Sequence, residues 1–207
     1  MLPPLRLAVL FVFFWALPAF AQSPAAPAWI GQMREGGFVI VMRHGATHAD
    51  QADAKPFDPS DIVHQRQLND QGRATARIMG AVLHGMEVPV SEVKTSQYNR
   101  AVETATLLGV GKVSPTEALN EGGTTSMAQG NDVKGDDLRK LAATPPPAGS
   151  NVILVTHKPN IVGAFGKDWS DVSEGEATIL RPDGKGGFAQ VARVQAAEWV
   201  RLGHAAN

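Results

Sequence analysis

The sequence predicts an α/β fold, a three-layer α/β/α sandwich around a mostly parallel mixed sheet. Three observations lead there. Two short apolar runs, Phe38–Met42 (FVIVM) and Asn151–Thr156 (NVILVT), read as strands buried on both faces. Amphipathic stretches that end in glycine alternate with such runs along the chain. Near the C-terminus, Ala177–Leu180 and Phe188–Val194 flank Arg181–Gly187 (RPDGKGG), a strong turn signal, and read as a hairpin. Strands that alternate with helices and close in a hairpin give a sheet of mixed direction.

The chain opens with Arg6, the apolar run Leu7–Leu17 and then Pro18-Ala19-Phe20-Ala21. A basic residue, a short apolar core and an Ala-x-Ala end describe a secretory leader, with cleavage expected after Ala21. The run is shorter than the roughly 20 residues a spanning helix needs. The expected product is a secreted or periplasmic protein with no stable membrane anchor. The predicted organisation is a leader over 1–21, a linker and short N-terminal helix over 22–36, and a single domain over 37–207. Without the leader, 186 residues remain, enough for a core that needs no staples. They carry 18 basic against 20 acidic residues with no basic block, which argues against nucleic acid and anionic membranes as partners. There is no cysteine, so disulfides, thiolate chemistry and cysteine metal sites are excluded.

In order, Trp29, Ile30 and Met33 have helical spacing, and Gly36-Gly37 closes that helix before the first strand. Residues 49–61 are polar, hold two prolines and read as a loop. A helix capped by Asn69 or Asp70 follows, with Ala74, Ile78 and Val82 as its stripe and Gly85 at its end. Val90–Thr95 is a weaker strand, and a helix after Ser96–Arg100 stops near Gly109. Lys112-Val113 reads as an edge strand, and 115–131 as mostly loop. Asp136–Ala143 is a short helix closed by Pro145–Pro147. Asn160 is placed to cap a helix through Phe165, and Ala196–Leu202 closes the chain as a helix.

Three strand ends carry polar groups: Arg43-His44, Ser96–Arg100 and His157. In open α/β sheets ligands bind outside the carboxyl ends of the strands. Parallel neighbours would gather two arginines and two histidines there, a cationic pocket for a tetrahedral dianion. Histidine also serves as a nucleophile that splits one displacement into two easier ones.

These residues resemble the histidine phosphatase superfamily, also called phosphoglycerate mutase-like. Its hallmarks are matched in order by Arg43-His44-Gly45, by Leu68 and Gly72, by Ser96 with Arg100-Ala101-Val102-Glu103-Thr104-Ala105, and by a strand ending in His157. The resemblance covers roughly residues 37–194. It implies that His44 is the nucleophile that becomes phosphohistidine, and that Arg43, Arg100 and His157 bind the phosphoryl oxygens. It places Thr47 near the phosphate and makes Glu121 the proton donor to the leaving oxygen, with Glu117 second. Lys158 after His157 points to the branch that contains the mutases. No cofactor and no metal are implied. Asp50 departs from the family pattern, which often has an asparagine there that touches phosphate; a carboxylate in that place would repel the dianion.

Other candidates read as ordinary. His44 and His48 are four apart, but Gly45 places them in a loop rather than on a helix face. His48, His64, His84 and His204 read as surface residues. Gly184-x-Gly186 sits in a hairpin turn and opens no helix, so it is no dinucleotide fingerprint. The expectation is an exported, metal-independent phosphatase acting on a small phosphorylated molecule. By analogy of size and layout that molecule is a cell-envelope sugar phosphate. A phosphotransferase or mutase, and a catalytically dead phospho-ligand-binding protein, are the alternatives. The sequence sets neither the substrate nor the oligomeric state.

Overall fold

The computed structural model describes residues 27–122 and 133–205. Its strands are β1 (Val39–Arg43), β2 (Val90–Thr95), β3 (Lys112–Pro115), β4 (Asn151–Thr156), β5 (Ala177–Pro182) and β6 (Phe188–Val194). They form one sheet in the order β3-β2-β4-β1-β5-β6. The first four in that order run parallel, while β5 and β6 are antiparallel to their neighbours. The helices are α1 (Ala28–Met33), α2 (Asp70–Gly85), α3 (Asn99–Leu108), α4 (Val133–Ala142), α5 (Lys158–Phe165) and α6 (Ala196–Ala205).

Alternation along the central strands explains the three layers. Ile40, Met42, Ile153 and Val155 face α1, α2, α3 and α6. Val39, Val41, Val152 and Leu154 face α4 and α5. Both strands are therefore apolar at every step through Val39–Met42 and Val152–Val155, as a strand covered on two sides must be. The sheet is mixed and mostly parallel, as expected.

Local signals held in most places. The side chain of Asn69 accepts from the Gly72 N–H and caps α2. Gly109 ends α3 at φ 62°, in the left-handed region glycine favours. Two readings are corrected. The buried stripe of α2 runs through Thr75, Ala76, Met79, Val82 and Leu83, while Ala74 is exposed. This helix packs on α3 and α6 as well as on the sheet, which turns its buried face. Asn160 does not cap α5: the helix begins at Lys158 with Pro159 in its first turn, and Asn160 lies inside it. The leader and its cleavage point lie outside the described residues, as does the segment between Gly122 and Val133.

Candidate active site

Register brings the three strand ends together. Arg43 pairs with Thr156 across β1–β4, and Thr95 with Val155 across β2–β4. The next residues leave the sheet side by side. The His44 N–H donates to the Thr156 carbonyl at 3.1 Å, and the Ser96 N–H donates to the Val155 carbonyl at 3.0 Å.

The turn after β1 is fastened to the helices beside it. The Gly45 N–H donates to Thr104 Oγ1 at 3.0 Å, and that hydroxyl donates to the Arg100 carbonyl at 2.7 Å. Gly45 and Ala46 lie against Gly72 so closely that a Cβ on Gly72 would overlap the Ala46 backbone. The glycine that opens α2 is thus required by backbone approach, and it fixes the height of His44 above the sheet.

His44 and His157 are buried with ring centroids 5.3 Å apart. His44 Nδ1 lies 2.8 Å from the Gly45 carbonyl, which only accepts, so Nδ1 carries the proton and Nε2 keeps its lone pair. His157 Nδ1 lies 3.3 Å from Nη2 of Arg100, which only donates. Its proton therefore sits on Nε2, which donates to Ser96 Oγ at 2.7 Å. Burial pushes both rings well below the ordinary histidine value. The charges of Arg100, Arg43 and Arg66 deepen this for His44, and His44 adds to them for His157.

Arg100 is fully buried. Its Nη1 donates to both Asp53 oxygens, at 2.8 and 3.0 Å, and its Nη2 donates to Glu121 Oε2 at 2.6 Å. Arg43 donates from Nη1 to the Val172 carbonyl at 2.9 Å, and its Nη2 lies 3.4 Å from Glu174 Oε1. The Nε–H of each arginine is buried and unpaired. A buried donor without an acceptor is costly, so each is poised for an oxygen of a bound anion.

Glu121 Oε2 lies 3.9 Å from His157 Nδ1. The second choice, Glu117, has a side chain 81% exposed and pairs with Lys134 at 3.7 Å, away from the site. Thr47 is buried beside the site, and its hydroxyl is bonded to a carboxylate. Oγ1 donates to Glu174 Oε1 at 2.8 Å, so Thr47 steadies the carboxylate beside Arg43. Asp50 is exposed, and the acid that enters from this loop is Asp53. His48, His64 and His84 lie at the surface as expected; the side chain of His204 is outside the described residues. Among the described residues, no group of three or more His, Cys, Asp or Glu is placed to hold a metal ion.

Sequence reasoning missed four positioning residues. Asp53 and Glu174 carry no local motif, and only the folded loops bring them to the arginines. Asn160 donates to the Asn120 carbonyl at 2.8 Å and accepts from the Gly122 N–H at 2.8 Å, so it brackets Glu121. Tyr98 meets the His157 ring edge-on at 5.0 Å, lies under the Arg100 guanidinium at 4.5 Å and stacks on Phe57 at 3.7 Å. It pins the 49–61 loop over the site. The run SQYNR showed that an aromatic was present, but not which way it faced.

The family model of the histidine phosphatase superfamily (branch 1) matches residues 39–131. Similar solved structures include the protein histidine phosphatase SixA complexed with tungstate, at 19% identity and TM-score 0.56, covering 77% of this chain and 97% of that one. A phosphoserine phosphatase of Entamoeba histolytica in complex with phosphoserine gives 14% and 0.52, covering 78% and 98%. A phosphoglycerate mutase of Plasmodium falciparum gives 17% and 0.50, covering 75% and 88%. At these identities the likeness establishes the fold. No curated protein matches the sequence.

Proposed function

We propose that this chain, whose sequence signature and fold are those of branch 1 of the histidine phosphatase superfamily, is an exported, metal-independent phosphatase of small phosphomonoesters. One observation carries the reading. A buried histidine holds its proton on Nδ1 and keeps a free Nε2 beside two arginines with unpaired Nε–H groups.

In this reading the Nε–H groups of Arg43 and Arg100 hold phosphoryl oxygens while His44 Nε2 attacks phosphorus. The P–N bond forms as the P–O ester bond breaks, and the leaving oxygen takes a proton from Glu121. Water then attacks the phosphohistidine, returns a proton to Glu121 and releases phosphate with neutral His44. His157 meets a phosphoryl oxygen through Nδ1 once the negative charge of the bound dianion favours a proton there, its Nε2–H remaining on Ser96. Thr47 acts through Glu174 on Arg43.

Export is supported by the leader pattern of residues 1–21. A native mass that starts at Gln22 is the expected result, and one that starts at Met1 removes the cleavage. Export also favours a cell-envelope sugar phosphate as substrate, to be sought with a panel of phosphorylated metabolites. The test of the reaction is His44→Ala. The variant should release no phosphate from an aryl phosphate that the wild type hydrolyses in the presence of EDTA. Activity that survives the substitution overturns the reading.

A further inference from the structure

The charges paired around the two site arginines do not suit a dianion. Arg43 and Arg100 bring two positive charges, and Glu174 and Asp53 answer with two negative ones, while Glu121 carries the proton it gives to the leaving oxygen. His44 and His157 are held neutral by burial. This group has no net positive charge with which to hold a phosphoryl dianion unless another cation faces the same space.

Arg66 is that cation. The backbone around Gln65 is extended (φ −107°, ψ 150°), so successive side chains point to opposite sides. Its neighbours on both sides turn toward Asn99: Gln65 Oε1 accepts from the Asn99 N–H, and Gln67 Oε1 accepts from the Asn99 side-chain amide. Arg66 therefore faces the other way. Its backbone N–H donates to Asp53 Oδ1 at 3.0 Å, on the carboxylate that grips Arg100. Its positive charge is felt by Arg43, His44 and His157 alike. Among the described residues its guanidinium has no hydrogen bond and no ion pair, and it is only half-buried. Arg73 and Arg193, by contrast, are each bonded to a carboxylate.

We propose that Arg66 is a third phosphoryl-binding residue, the uncompensated cation that makes this carboxylate-rich pocket accept a dianion. The choice of ligand rests on the phosphatase reading above. Arg66 lies just before Leu68–Gly72, on the segment that returns from the 49–61 loop to α2.

Inorganic phosphate titrated calorimetrically into the full chain tests this, alongside kcat/KM for an aryl phosphate. Arg66→Met should weaken phosphate binding by about 10- to 100-fold, as expected for losing a charge-assisted hydrogen bond. The loss of kcat/KM should lie mainly in KM. Arg66→Lys should recover part of the affinity, and it carries the test if the methionine variant does not fold. Arg77→Met, which removes an exposed charge from α2, should bind phosphate like the wild type. Phosphate binding by Arg66→Met as tight as the wild type's, or an equal loss in Arg77→Met, overturns the proposal. The two readings fail separately. Arg66-dependent phosphate binding without hydrolysis of any ester supports Arg66 and overturns the phosphatase. Full hydrolysis by Arg66→Met overturns Arg66 and leaves the phosphatase standing.

Discussion

His44 and His157 stay neutral because water is excluded from them and because arginines surround them. Their folded pKa values lie well below the unfolded one. Between those values the unfolded chain binds more protons than the folded one, so stability is full above the ordinary histidine value and is lost as pH falls below it. Each buried ring should cost about 1.4 kcal/mol per pH unit in that window. Thermal unfolding midpoints should fall from pH 7 to pH 5, and His157→Asn should flatten that slope; an unchanged slope contradicts the assignment. Glu121 makes a separate claim at this scale. Glu121→Gln should slow esters with poor leaving groups most, because they need the proton. Equal slowing of good and poor leaving groups would remove Glu121 from that role.

At the scale of elements, the site depends on how the turn after β1 rests on α2. Gly72→Ala should drive its new Cβ into the Ala46 backbone. The expected cost is about 1–3 kcal/mol, as for other overpacked positions, with a fall in kcat as His44 is displaced. Thermal melts and phosphate-release assays read both effects, and a Gly72→Ala variant with wild-type kcat contradicts this account of the turn. The motif around Gly72 was legible because a backbone contact of this kind permits one residue type. The strands β1 and β4 were legible for the same sort of reason: unbroken apolar runs fit the middle of a covered sheet. Where several faces of an element are packed, as in α2, periodicity placed Val82 and Ile78 against the core but also took in the exposed Ala74. Asn160 carried a capping signal, but its side chain found better partners in the loop around Glu121. Asp53, Glu174 and Arg66 had no local signature at all. Their roles arise from long-range approach, 47 residues apart for Asp53 and Arg100 and 127 for Thr47 and Glu174.

The whole molecule is a sheet held between two unequal layers, and the site sits at the edge where β1, β2 and β4 end. The larger layer is closed by α6, whose Trp199 is fully buried and meets Trp29 at 5.8 Å. Trp199→Ala should cost about 3–5 kcal/mol, seen as a lower denaturant midpoint, while the folded fraction keeps its kcat/KM. A loss of kcat/KM in the folded fraction would show that this layer shapes the site. The central claim, however, is that all of this scaffolding presents His44 Nε2 to a phosphoryl group. Rapid quenching of the full chain with a phosphomonoester, followed by intact-mass and peptide analysis, tests it most directly. The account predicts one phosphoryl group on His44, acid-labile and base-stable, absent from His44→Ala. Turnover by the wild type with no such adduct on His44, under conditions where product forms in the first turnover, would contradict it.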